Sequence, residues 1–145
     1  EVLMPKKNII KQLSIFVNNE PGSLASIALV LKECNINLKA FNIAESSGFG
    51  VLRAIADDPE DACKKLKARN IVVRQTDVIA VSVEDQPGGL FRIANIMGDA
   101  KVNIEYAYAY TGRNGPSIFL RVDDPEAAAK AIGDAGMRCL SQNDI

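Results

Sequence analysis

The chain contains an internal duplication. Residues 12–79 align without a gap on residues 78–145. Fourteen of these 68 aligned pairs are identical, against about 4 expected by chance from average residue usage. The identities fall at turns, helix starts and apolar positions, and include Pro21-Gly22 with Pro87-Gly88 and the two Asp-Asp-Pro-Glu runs that begin at Asp57 and Asp123. A period of this length indicates two tandem copies of one folding unit, which we place at residues 12–77 and 78–145 after an N-terminal extension of residues 1–11.

Hydrophobic periodicity gives the same element order in both copies. Alternation around residues 13–17 and 79–83 predicts a strand, and apolar residues at i, i+3, i+4 and i+7 from Leu24 and Leu90 predict a helix. Strands follow at about 36–45 and 102–110, then at 50–56 and 116–122 after hairpin turns, with last strands at 71–75 and 137–141. Asp58-Pro59 and Asp124-Pro125 are typical helix starts, for helices over 59–68 and 125–134. Each copy is therefore βαββαβ, and the fold class is α+β: two ferredoxin-like units, each an antiparallel sheet with two helices on one face.

Aromatic and apolar residues are expected on the sheet face that the helices leave uncovered. Alternation places Phe16 and Ile55 there in the first copy and Phe119 in the second. We expect such a face to pack against something, because large exposed apolar patches are rare. Tyr106, Tyr108 and Tyr110 should share one strand face with Ile104, as core or interface aromatics or as a wall against a ligand side chain.

Composition excludes several function classes. The 17 basic and 18 acidic residues give a net charge of −1, which argues against nucleic-acid binding. There is no histidine, and the three cysteines are scattered, so neither a metal site nor a disulfide framework is expected, and no cofactor motif is present. No apolar run is long enough to span a membrane and no secretory signal is evident, so we expect a cytoplasmic protein.

The loops after the first strand of each copy are the candidate ligand site. They read Asn-Asn-Glu-Pro-Gly-Ser from Asn18 in one copy and Glu-Asp-Gln-Pro-Gly-Gly from Glu84 in the other. Either they are ordinary turns, or glycine lets a carboxylate approach free N–H groups at the helix start while nearby acid and amide side chains take an ammonium group. We expect a helical backbone at Gly88, so that alanine there leaves the fold intact and blocks the ligand.

These motifs resemble the ACT domain signature. Asn19-Glu20-Pro21-Gly22-Ser23-Leu24 is followed after a helix by Ile36-Asn37-Leu38, and Asp85-Gln86-Pro87-Gly88-Gly89-Leu90 is followed by Val102-Asn103-Ile104. The resemblance covers both copies. It is to stand-alone amino-acid-binding ACT proteins and, more distantly, to the regulatory subunit of acetolactate synthase.

The resemblance implies a non-catalytic regulatory or sensor protein of amino-acid metabolism. Its partners would be a free amino acid, a second copy in a homodimer and a biosynthetic enzyme. In that family the first loop of one domain faces the second strand of its neighbour. Carried over, this pairs Asn19, Glu20, Gly22, Ser23 and Leu24 with Asn103, and Asp85, Gln86, Gly88, Gly89 and Leu90 with Asn37.

The two copies depart from the family pattern and from each other. Some serine-binding members have a histidine where this chain has Val17 and Val83. Asp85 stands where Asn19 does, so the two expected ligand sites are not equivalent and one alone could be occupied.

Three alternative functions stay open. They are a structural dimerisation module or regulatory subunit without its own ligand, an acylphosphatase-like enzyme, whose loop needs an arginine that neither loop has, and an RNA-binding sheet, whose third strand needs more aromatics than Phe119.

Overall fold

The computed structural model describes residues 8–46 and 48–145. The chain divides into two compact units, residues 11–76 and residues 77–145 together with residues 8–10. The elements in chain order are β1 (Ile10–Asn18), α1 (Ser23–Glu33), β2 (Leu38–Ser46), β3 (Phe49–Ala56), α2 (Pro59–Ala68), β4 (Val73–Ser82), α3 (Gly89–Asp99), β5 (Ile104–Gly112), β6 (Gly115–Val122), α4 (Pro125–Asp134) and a 3₁₀ turn (Gln142–Asp144). The predicted βαββαβ order and fold class are confirmed.

The strands of each unit are hydrogen-bonded side by side. The order is β2-β3-β1-β4 in the first unit and β4-β6-β5 in the second, and β4 serves both because it runs unbroken through the boundary. The pairs β1–β3, β2–β3, β4–β6 and β5–β6 are antiparallel. β1 begins at Ile10, earlier than the periodicity suggested, and Ile10 is completely buried.

The last strand of the second copy is shorter than predicted. It is reduced to one antiparallel bridge between Val81 and Cys139. The chain then turns at Ser141, where the Asp144 carboxylate accepts hydrogen bonds from the Ser141 N–H at 2.8 Å and from its hydroxyl at 2.9 Å. This capping box favours a helical turn over continued strand pairing.

Each unit has a core between its sheet and helices. In the first unit the core is formed by alternate residues of β1 and β3 with the inner faces of α1 and α2, including Leu13, Ile15, Leu31, Leu52 and Leu66. In the second unit it is formed by the equivalent positions, including Ile79, Val81, Ile93, Leu120 and Ile132. The repeat in sequence is therefore a repeat in packing, as the shared apolar periodicity requires.

The predicted helix starts are confirmed. The side chain of Asp58 accepts a hydrogen bond from the Asp61 N–H at 3.1 Å, and Asp124 accepts one from the Ala127 N–H at 3.1 Å. Proline is the first residue of both helices, where its missing N–H would be unpaired in any case.

Phe16, Ile55 and Phe119 lie outside the helix-facing cores, as alternation predicts, but they differ in exposure. Phe16 pairs with Val51 on the face opposite the core and is 40% exposed. Ile55 and Phe119 are completely buried. Burial of such side chains is strongly favoured, at about 25 cal/mol per Å² of apolar surface.

Candidate functional site

The two Pro-Gly loops have the same backbone. Gly22 and Gly88 are the N-caps of α1 and α3, with φ angles of 86° and 101°. Both lie in the left-handed region, which residues with a Cβ rarely adopt. The expectation of a helical backbone at Gly88 is therefore wrong. It is Gly89, one residue later, that begins the helix.

Neither helix start has a side-chain cap, so N–H groups of the first turn are available to a ligand. In the first copy the Ser23 N–H is used, because it donates to the carbonyl oxygen of Glu20 at 3.2 Å. The equivalent N–H of Gly89 has no such acceptor within the described parts of the chain. The second loop therefore offers one more backbone donor than the first.

The second loop forms one wall of a cleft of about 350 Å³. The opposite wall is the segment that follows α4, and β4 contributes the floor. The cleft is lined by Ser82, Val83, Glu84, Gln86, Pro87, Gly88, Gly89, Arg92, Gly136, Met137 and Arg138. A volume of this size lies at the lower end of the range for small-molecule sites.

The first loop borders an equivalent cleft. It consists of two depressions of about 370 and 280 Å³ that share Phe16, Val17, Asn18 and Ile27. One is also lined by the segment after α2, residues 70–72, which is the repeat equivalent of residues 136–138. The repeated fold thus produces the same concavity twice, each within its own unit.

Polar groups in the second cleft are held by local hydrogen bonds. Nη2 of Arg92 donates to the carbonyl oxygen of Ala135 at 3.0 Å, and Nη2 of Arg138 contacts the Asp144 carboxylate at 3.1 Å. The Glu84 carboxylate accepts a hydrogen bond from the Gln86 side-chain amide. The arrangement places guanidinium, carboxylate and amide groups around one concavity.

Not every loop residue that was predicted to bind a ligand lines a cleft. Glu20, Ser23, Gln86, Gly88 and Gly89 do. The other predicted loop residues are exposed outside the clefts: Asn19, Gly22, Leu24, Asp85 and Leu90.

Asn37 and Asn103 lie far from the loop of their own unit. β1 ends at Asn18 opposite Phe49, whereas β2 begins at Leu38 opposite Ala56, so Asn37 is at the other end of the sheet, a strand length of roughly 25 Å away. Nδ2 of Asn37 donates to Asp57 at 3.3 Å, and the Asn103 N–H donates to Asp123 at 3.0 Å. The expected pairing of each loop with the asparagine of the other copy stays a prediction.

A β-bulge separates the tyrosines from Ile104. The register of β5 shifts between Ile104 and Tyr106, so Ile104 packs in the core while Tyr106 and Tyr108 face the opposite side. The expectation of one shared face is wrong here, because strict alternation fails where a bulge inserts a residue. Tyr108 and Tyr110 instead lie against Phe119, with ring centroids 5.3 and 6.1 Å apart.

The lining residues that sequence reasoning missed include Arg92, Met137 and Arg138. For Arg92 a signal existed, because it follows Gly89 by three positions and so lies on the same helix face. For Met137 and Arg138 no local signal exists, since they come from a segment distant in sequence.

Other site chemistry is limited. The described residues contain no cluster of three or more potential metal ligands. Within the same residues no helix has both the length and the apolar character to cross a bilayer. All three cysteines are free, and burial raises the pKa of the Cys139 thiol to about 11, which keeps it protonated and unreactive at neutral pH.

Solved structures of other proteins share this fold. Protein BT0572 from Bacteroides thetaiotaomicron is 34% identical, with a TM-score of 0.87 over 94% of this chain and 95% of that one. The regulatory subunit of aspartate kinase from Thermus thermophilus is 17% identical, with a TM-score of 0.60 over 89% of this chain and 95% of that one. The acetolactate synthase small subunit from Thermotoga maritima reaches a TM-score of only 0.41 at 12% identity, over 90% and 92% of the two chains, which is too low to bear on function.

No curated protein matches the sequence. Residues 8–145 match the family model of the ACT domain pair. This range includes both Pro-Gly loops and both clefts. The chain is therefore a member of the ACT domain pair family.

Proposed function

We propose that this protein is a non-catalytic regulatory protein that binds a free amino acid at its Pro-Gly loops. The observation that carries the proposal is the recurrence of one concavity beside the same loop in both units. Ordinary turns would not need open clefts of about 350 and 280 Å³ beside them. In the second loop the left-handed Gly88 is followed by the Gly89 N–H, which has no acceptor among the described residues, at a helix start where a carboxylate is favoured.

The second cleft has complementary groups for a zwitterion. Arg92 and the Gly89 N–H are donors for a carboxylate, and Glu84 is an acceptor for an ammonium group. Charge-assisted hydrogen bonds of this kind are worth about 1.5–3 kcal/mol each. A free amino acid has both charged groups on one carbon, so it fits a small cleft with both kinds of partner.

The regulatory role rests on family membership and on the aspartate kinase regulatory subunit, a protein of similar fold. By analogy, the amino acid would act through a second protein, such as a biosynthetic enzyme, and the chain would work as a homodimer in the cytoplasm. Neither nucleic acid nor a membrane is needed for this role. The proposal of no catalysis follows from the loops themselves, which contain no arginine to cradle a transferred phosphoryl group.

A thermal-shift screen of the twenty amino acids tests the proposal. A ligand at 100 times its Kd adds about 2.7 kcal/mol to the free energy of unfolding, so one or a few amino acids should raise the Tm while the others do not. If none does so, the protein is a structural module or a regulatory subunit without its own ligand. Turnover of acetyl phosphate would contradict the non-catalytic part.

A matched pair of glycine variants locates the site. A Cβ at Gly89 would lie 3.5 Å from the carbonyl oxygen of Glu84 and 3.7 Å from Cβ of Val83, inside the cleft but without a clash. Gly98 is in the same helix, and a Cβ there meets nothing within 4 Å. Gly89→Ala should weaken the amino-acid response, and Gly98→Ala should keep it. Equal responses in both variants would place the ligand elsewhere.

A further inference from the structure

The two clefts share a fold but differ in charge. The second is lined by Arg92, Arg138 and Glu84. The first is lined by one charged residue, Glu20, and otherwise by polar and apolar side chains, among them Phe16, Ile27, Phe49 and Val72. An anion entering the first cleft therefore meets no cationic side chain, whereas one entering the second meets two.

Arg92 is the distinguishing residue. Its hydrogen bond to the Ala135 carbonyl fixes the guanidinium against the end of α4, and no carboxylate in the described part of the chain forms an ion pair with it. Arg138, by contrast, is already paired with Asp144. Guanidinium groups have five N–H donors in a fixed plane, so one hydrogen bond to a carbonyl leaves donors for a carboxylate.

The repeat equivalent of Arg92 is Ser26. Its hydroxyl donates to the carbonyl oxygen of Gly22 at 3.1 Å, which turns it back onto the loop. The first copy also uses the Ser23 N–H internally. Of the two donors that the second cleft offers to an anion, the arginine is therefore absent from the first cleft, and the backbone N–H is already hydrogen-bonded there.

We propose that the second cleft binds the carboxylate of an amino acid through Arg92 and the Gly89 N–H, with Glu84 facing the ammonium group, and that the first cleft does not bind a carboxylate. Each chain then takes one ligand at the loops. The inference rests on the proposed function, which it deepens by naming the binding group and the unit that contains it.

The positions of the two donors favour this assignment. Gly89 and Arg92 are three residues apart in α3, so they face the same side of the helix. Glu84 is the first residue of the loop, two positions after the end of β4, and its carbonyl lies beside Gly89. If a carboxylate binds between Gly89 and Arg92, the ammonium group of a small amino acid lies on the side of Glu84.

Amide NMR titration of the ¹⁵N-labelled protein tests the inference. The probe is glycine, which carries the carboxylate and ammonium groups common to all amino acids. The control probe is glycinamide, which keeps the ammonium group and lacks the carboxylate. Glycine should shift the amide signals of Gly89 and Leu90 and the Nε signal of Arg92 in a saturable way, leave residues 19–24 unchanged, and lose this effect when replaced by glycinamide.

Variants give the second arm of the test. Arg92→Gln should weaken glycine binding by roughly tenfold or more, and Arg92→Lys should recover part of it, because lysine keeps the charge but not the planar fork. Lys64→Gln removes an exposed positive charge from the other unit and should change nothing. The folded state of each variant is checked by its Tm.

The failures are distinguishable. If an amino acid raises the Tm but Arg92→Gln binds it as tightly as the unmodified protein, the proposed function stands and this inference is overturned. Saturable shifts in residues 19–24 instead of at Gly89 would overturn it as well, as would the absence of any saturable shift with glycine. If glycine binds at Arg92 and the protein also turns over acetyl phosphate, the carboxylate site stands and the non-catalytic part of the proposed function falls.

Discussion

The ring of Tyr108 stacks on the ring of Phe119, with centroids 5.3 Å apart and planes 20° apart. The contact lies on the sheet face opposite the helices of the second unit, where Tyr108 pairs directly with Phe119 across the β5–β6 ladder. Phe119 is completely buried. Stacked aromatic pairs stabilise a fold by more than their buried area alone, so this face is part of the packed structure.

Phe119→Ala should therefore lower the free energy of unfolding by about 3–5 kcal/mol, the usual result of emptying a large buried site. Phe91→Ala is the matched control, because Phe91 is 72% exposed on α3 and its loss should change stability by no more than about 0.5 kcal/mol. Urea denaturation of both variants measures the difference. Similar midpoints would mean that Phe119 is not packed as described.

Alanine at the left-handed glycines should destabilise the protein. At Gly22 and Gly88 a Cβ meets no atom within 4 Å, so the cost is backbone strain alone, about 1–2 kcal/mol per site. Gly98→Ala lies in helical backbone and should gain up to about 1 kcal/mol. Thermal unfolding of the three variants without ligand checks the order. A Gly88→Ala protein as stable as the parent would contradict the positive φ.

The caps of α2 and α4 should contribute equally to stability. Asp58→Ala and Asp124→Ala each remove one acceptor from the first helical turn, which costs about 1 kcal/mol. Asp58→Ser keeps an acceptor oxygen of similar capping strength and should restore most of the loss. Chemical denaturation of the three variants measures this, and an Asp58→Ser protein as weak as Asp58→Ala would argue against the cap.

Cys139 should make stability fall at alkaline pH. Burial raises its pKa from 9.0 to about 11 in the folded state, so between these values the unfolded chain has released a proton that the folded protein still binds. The free energy of unfolding then decreases as the pH rises from about 9 towards 11. Cys139→Ala should show a shallower decrease, measured as denaturation midpoints from about pH 8 upwards. Parallel curves would contradict the assigned shift.

Local patterns determined most of the fold. The spacing of apolar residues, the Asp-Pro pairs and the Pro-Gly loops predict elements whose positions depend on residues only a few places apart, and the helices Pro59–Ala68 and Pro125–Asp134 match their predicted bounds. Because of the duplication, each of these elements is predicted in both copies. The loops could be identified as the candidate site for the same reason, since their residues are adjacent in sequence and recur.

Tertiary structure decided the features that depend on distant segments or on backbone angles. The bulge before Tyr106 depends on how β5 pairs with β6, and it moved the tyrosines to the other face. The left-handed conformation of Gly88 could not be told from a helical one by residue type, because glycine adopts both at little cost. The bulge and the glycine conformation both depend on how the folded chain packs, so the identity of the adjacent residues does not predict them.

Sequence patterns are enough to establish a pair of βαββαβ units with Pro-Gly loops before their first helices. The folded chain was needed to show that Arg92 faces a cleft lined by Met137 and Arg138, and that its counterpart Ser26 turns back to Gly22. The physical reason is that helix and turn formation depend on interactions between near neighbours, whereas a cleft needs the chain to return after α4 to the end of β4. The repeat therefore predicted two similar loops, and the fold shows that the clefts beside them differ in charge.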